Sequence, residues 1–180
     1  MKKILLSIVT IALGGLAYAQ TAVSLVDINF VSPANLTACN DSSQYLGDTV
    51  ITRGIVVVPG NLSEVASGSV TGGSRPFIFL VDTAANGAPG PFKGIEVMGA
   101  AGNTPVAAIE SAQAGDILEI TGIVGSFDGS LQLTPLSSAS VTLIGATSVP
   151  SYTTIPVGDL NDANRAVSYT HLRAHETRHD

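Results

Sequence analysis

A chain of 180 residues with eight basic and fourteen acidic side chains, net charge −6, has room for one domain with a real core. Between Gln20 and Ala166 the balance sharpens to four bases against twelve acids, a net of −8. That argues against broad contact with a phosphate backbone and against adhesion to anionic lipid.

The N-terminus reads as a targeting segment. Lys2 and Lys3 precede the apolar run Ile4 to Leu16, and Ala17-Tyr18-Ala19 closes it as a small-residue cleavage site. This is the pattern of a secretory signal helix over residues 1–19. The run is too short to favour a membrane span, and no cysteine stands immediately after the cleavage site, where Gln20 lies. The mature chain is therefore expected to start near Gln20, to have no stable membrane span, and to be secreted or held at the cell surface or in the periplasm. Cys39, the one cysteine, is left as a free thiol or as one whose partner lies beyond this chain.

Residues 20–46 read as a lead-in strand and a loop. Val23, Leu25, Ile28 and Phe30 suggest a strand within Thr21 to Val31, and Pro, Asn, Asp and Ser follow. Residues 47–145 then carry the pattern of a barrel. Thr49 to Val58 is the first strand. Pro59 to Ser74 is a long Gly- and Ser-rich loop. Arg75 to Asp82, RPFIFLVD, is the second strand and is apolar on both faces. Gly94 to Met98 is the third.

The period then changes. Thr104 is a candidate N-cap with Pro105 at the first helical position. Val106, Ile109 and Gln113 share a face, and Gly115 is placed as the stop. Gly115 to Leu133 reads as a strand, a tight turn at Asp128-Gly129 and a return strand. Leu118, Ile120 and Val124 fall on one side at period two, and Glu119, Thr121 and Ile123 on the other. A further strand covers Ala139 to Ile144. Gly47 to Val56 also matches Gly115 to Val124 at both Gly-Asp pairs, at Gly54 and Gly122, and at the following Ile-Val. The match predicts two long curved strands of one barrel, each coiled at its central glycine.

Residues 146–166 read as a linker and the start of a truncated next module. Residues 167–180, VSYTHLRAHETRHD, differ in kind: they hold all three histidines and are dense in charge. The segment resembles the translation of a transposase adapter from sequencing libraries. It is expected to be an artefact with no structure of its own. Its His175, Glu176 and His179 form an H-E-x-x-H spacing that suits zinc, but no helix face or third ligand accompanies them, and they are rejected as a metal site.

Strand, strand, strand, short helix, strand, strand is the order of an oligonucleotide/oligosaccharide-binding barrel. The expected fold is mostly β, a five-stranded OB-like barrel with one short helix between its third and fourth strands. Gly47-Asp48, Gly54-Ile55-Val56, Phe77 to Asp82, Gly94 to Val97 and Gly115-Asp116 through Leu133 carry a resemblance to OB-like domains of exported bacterial multidomain proteins, including extracellular nucleases. Gly158 to Asp162 is similar to the lead-in of a second module in them. The resemblance implies a module without catalytic residues, the chemistry lying in a later domain missing here.

In such a barrel the second and third strands present the binding face. Phe77 and Phe79, two apart, share one face and suit stacking on bases or sugars. Arg75 and Lys93 stand at the ends of these strands, and Arg53 lies on the first. The competing expectation is that both rings fill the interior and the cations are ordinary surface charges. Asp82, Asp116 and Asp128 read more simply as turn residues than as a calcium site. No cofactor is expected. The leading expectation is a non-catalytic accessory module of a truncated secreted or surface protein, not itself an enzyme. One alternative is a module that binds single-stranded nucleic acid for an extracellular nuclease whose catalytic domain is missing. Another is an adhesion module for glycan or protein.

Overall fold

The computed structural model describes residues 21–38, 42–66, 74–87, 92–99, 107–127 and 130–151. The expected signal helix, Cys39, the Thr104-Pro105 helix start, the Asp128-Gly129 turn, the next-module segment and the tail with His175, Glu176 and His179 lie outside these residues. The described elements are β1 (Thr21–Ala22), α1 (Leu25–Asn29), α2 (Pro33–Thr37), β2 (Thr49–Val58), β3 (Glu64–Ala66), β4 (Ser74–Asp82), β5 (Gly94–Met98), α3 (Ala107–Glu110), β6 (Asp116–Phe127), β7 (Ser130–Pro135) and β8 (Val141–Ala146). No helix among them is long and apolar enough to cross a membrane.

Five strands close into a barrel. β2 pairs antiparallel with β4, β4 with β5, β5 runs parallel to β7, β7 pairs antiparallel with β6, and β6 returns to β2. This is the mostly β, OB-like barrel expected from the sequence, with α3 between the third and fourth barrel strands. Short strands extend it: β1 lies parallel to β2, β3 pairs with β4, and β8 pairs with β6.

The internal repeat is the seam of the barrel. Its two copies pair with each other, Val50 facing Gly122 and Gly54 facing Leu118. Val50 and Leu118 are equivalent positions, as are Gly54 and Gly122, so the ladder has a local pseudo-dyad at the Thr52–Ile120 pair. The turns obey the same symmetry. The Gly47 amide donates to the Val124 carbonyl and the Gly115 amide to the Val56 carbonyl, both at 2.8 Å. Both glycines have positive φ, +89° and +94°, which side chains on L-residues rarely accept. The central glycines answer to space instead. A Cβ on Gly54 would lie 2.7 Å from Leu80 Cβ, and one on Gly122 would lie 2.7 Å from the Thr134 carbonyl oxygen. Each marks the crossing of a curved strand over its neighbour.

Val50, Val56, Ile78, Leu80, Val97, Ile120, Val124 and Leu133 fill the interior. The helices plug its ends. Ile109 of α3 is fully buried in the same cluster. At the opposite end Leu25 and Ile28 of α1 are also fully buried, each burial stabilising by about 1.5–3 kcal/mol. Here the structure corrects the sequence reading: the lead-in is a two-residue strand followed by helices. Leu25 and Ile28 are three apart, a helical spacing, and the Ser24 hydroxyl caps the turn by accepting the Asp27 amide at 3.0 Å. Asn29 then fastens α1 by donating through Nδ2 to the carbonyls of Leu25 (2.9 Å) and Gly94 (3.0 Å). The long loop after β2 is likewise interrupted by β3.

Candidate ligand-binding face

Alternation along β4 decides where its aromatics point. Ile78 and Leu80 are fully buried in the barrel, so Phe77 and Phe79 stand on the outer face. Their rings meet edge to face, centroids 5.6 Å apart at 87°, and Phe79 is 37% exposed. They do not fill the interior. The outward rings form an apolar platform on the wall made by β4 and β5.

Cross-strand pairing builds the rest. Phe77 faces Met98 and Phe79 faces Glu96. Glu96 in turn pairs with Gln132 on β7, and Gln132 Nε2 donates to Glu96 Oε2 at 3.1 Å. Burial raises the Glu96 pKa above its ordinary value, opposed by the Gln132 hydrogen bond and by the positive charge of Arg75. Arg75 lies at the start of β4, and its Nε is buried with no hydrogen-bond partner. Lys93 stands at the far end, where its carbonyl accepts the Asp82 amide at 2.8 Å. Seven residues of strand put about 23 Å between their backbone positions along the wall.

Arg53 is not part of this face. It lies on the β2–β6 wall opposite Glu119, with Nη2 and Nε at 2.7 and 2.8 Å from Glu119 Oε2. The structure thus brings Phe77, Phe79 and Arg75 together, leaves Lys93 at the end of the wall, and puts Arg53 on another.

Two candidate calcium ligands are turn residues. Asp82 Oδ1 accepts the Ala84 amide at 2.7 Å and Oδ2 the Leu25 amide at 3.2 Å. Asp116 Oδ2 accepts the Gln113 amide at 2.8 Å. Asp128 lies outside the described residues. Among the described residues no three His, Cys, Asp or Glu side chains gather.

Sequence reasoning passed over Glu96 and Gln132. Their signal was present in the alternation of GIEVM and SLQLTP, which turns both outward. It also passed over a second aromatic pair, Phe30 and Phe92, with centroids 5.7 Å apart. Phe92, next to Lys93, has φ +62°, an unusual backbone for a bulky residue.

No protein-family model matches the sequence, and no curated protein matches it. Among solved structures the chain is similar to a lipoprotein from Klebsiella pneumoniae described as nucleic acid-binding, at 22% identity over 64% of this chain and 87% of that one, TM-score 0.41. It is similar to the second OB-fold domain of replication protein A from Methanococcus maripaludis, at 14% identity over 58% and 92%, TM-score 0.35. It is also similar to an OBody bound to hen egg-white lysozyme, at 17% identity over 57% and 84%, TM-score 0.37. Likeness at this level carries no argument about what the chain binds; the barrel is read from its own strand pairing.

Proposed function

We propose that the chain is a non-catalytic module that holds single-stranded nucleic acid across the outer β4–β5 wall, and that it serves a longer exported protein such as an extracellular nuclease. The observation that carries this is the outward Phe77–Phe79 pair, with the Phe79 ring exposed. Any base can stack on such rings, which suits a single strand and not a duplex. Arg75 and Lys93 flank the rings at the two ends, where a backbone crossing the wall passes. The export context rests on the pattern of residues 1–19, and the missing catalytic domain on the resemblance of residues 47–144.

The test is a fluorescence-anisotropy titration of labelled single-stranded oligonucleotides at low salt, on the chain and on Phe79→Ala. Loss of one stacking ring weakens binding about 5- to 150-fold. Absence of binding at low salt, or unchanged affinity in F79A, rejects the reading. Turnover of the oligonucleotide by the purified chain rejects its non-catalytic part.

A second reading has its own support. The Glu96 carboxylate and Gln132 amide beside the rings suit a neutral, hydroxyl-rich glycan, and the acidic balance of the chain does not oppose one. Retention of a glycan on an array, with affinity indifferent to salt, favours it over nucleic acid.

A further inference from the structure

We infer that Glu96 and Gln132 form a guanine-reading site on the β4–β5–β7 wall, with Phe79 as its stacking partner. This deepens the nucleic-acid reading and rests on it.

Gln132 Nε2 donates to Glu96 Oε2, so one amide proton is engaged and the amide oxygen is turned to accept elsewhere. Glu96 retains Oε1 and the remaining lone pairs of Oε2. The pair therefore offers the wall several acceptors, with the second Gln132 amide proton beside them. Phe79 is the residue directly opposite Glu96, with Cβ atoms of such a pair about 5 Å apart. A base stacked on the Phe79 ring therefore brings its edge to the Glu96 carboxylate.

The bases differ in what that edge presents. Guanine carries two adjacent donors, N1–H and N2–H, which match the two acceptor positions of a carboxylate. Thymine places one N–H between two carbonyls, and those carbonyls face the carboxylate unfavourably. Adenine and cytosine each present an amino group next to a ring nitrogen that accepts. Only guanine satisfies both carboxylate oxygens without setting an acceptor against them. Arg75 and Gln132 are the charged and polar groups that act on Glu96 from the neighbouring strands. Neither competes for the outward lone pairs with more than the one bond already formed.

The experiment titrates the full chain with short oligothymidylates, unmodified or carrying one central guanine, cytosine or adenine. The guanine-bearing strand is expected to bind about fivefold or more tightly than the others, the discrimination typical of a good two-bond contact to a base. Glu96→Gln keeps the size of the side chain but sets an amide N–H against the base, and is expected to abolish the preference while binding to oligothymidylate persists. Gln132→Met reads the same pair from the other strand and is expected to reduce it. Thermal melts of both variants report that the barrel is intact. Equal affinity for all four strands, or a guanine preference retained in E96Q, overturns the inference and leaves the stacking face standing. Failure of every strand to bind overturns both.

Discussion

Phe79 stands directly across the β4–β5 ladder from Glu96, which sets an exposed ring beside a carboxylate half-withdrawn from water. The carboxylate is held there by Gln132 from the parallel strand on its other side. A part-buried charge is costly, and the Gln132 amide and the Arg75 charge offset part of that cost.

That cost gives the first prediction. Burial raises the Glu96 pKa, and neither Gln132 nor Arg75 cancels the effect. Folding therefore favours the protonated acid, and its contribution to stability is fully present below the ordinary value of 4.5. It is lost as pH rises through the higher folded value. E96Q removes the titration, so it should melt above the wild type at neutral pH, with the gap closing as the pH falls through the raised folded value toward 4.5. A gap that does not change with pH refutes the assignment. The guanine preference of the wild type should fade over the same fall in pH, because a protonated carboxyl no longer accepts at both oxygens.

The second prediction concerns the pseudo-dyad. Thr52 is 1% exposed and its Oγ1 has no hydrogen-bond partner, whereas its repeat equivalent is Ile120. Thr52→Val replaces the hydroxyl by a methyl group of similar size. It should stabilise the barrel by about 1–3 kcal/mol, the desolvation cost of an unpaired buried polar group. Urea titration checks this: the midpoint should rise with the slope unchanged. A lower midpoint would show that Oγ1 is satisfied in solution.

The central glycines of the repeat give a third. Gly122→Ala drives a methyl into the Thr134 carbonyl, which is backbone and cannot yield without opening the β6–β7 ladder. Gly54→Ala meets the Leu80 side chain close to its root. Each should cost about 1–3 kcal/mol. Gly125→Ala is the control on the same strand, since its nearest neighbour, the Gln132 carbonyl oxygen, is 3.9 Å away. Equal melting temperatures for G122A and G125A would contradict the crossing geometry.

These glycines also show why much of the barrel was legible in the sequence. Gly54 and Gly122 sit in matching strings with apolar residues at period two, and local geometry alone turns those strings into curved strands. Thr49–Val58 and Gly94–Met98 occur with the bounds the pattern predicts. The lead-in helix was not legible, because over six residues Val23 and Leu25 alternate as a strand would while Leu25 and Ile28 repeat as a helix does. Which way Phe77 and Phe79 point was open for a related reason: RPFIFLVD is apolar on both faces, so either alternate set could fill the core. The alternation turns Glu96 and Gln132 outward, but their meeting was out of reach because it depends on the parallel pairing of β5 with β7, a contact between segments far apart in sequence that no local spacing encodes.

The last prediction separates the arginines. Arg53 is bound to Glu119 in a cross-strand pair whose side chains are 61% and 34% exposed, and an exposed pair of this kind contributes about 0–1 kcal/mol. Arg53→Ala should therefore change stability little and leave oligonucleotide affinity unaltered, because it lies on the β2–β6 wall. Arg75 is the cation of the proposed face, and Lys93 stands at the end of its wall. With both on phosphates of a single strand, the slope of log affinity against log salt should be about −1.4, and Arg75→Ala should make it shallower by about 0.7. A slope several times steeper would mean that the strand follows a different path over the barrel. A steep slope that R53A reduces would move the binding face to the β2–β6 wall, and with it the role assigned to Phe77 and Phe79.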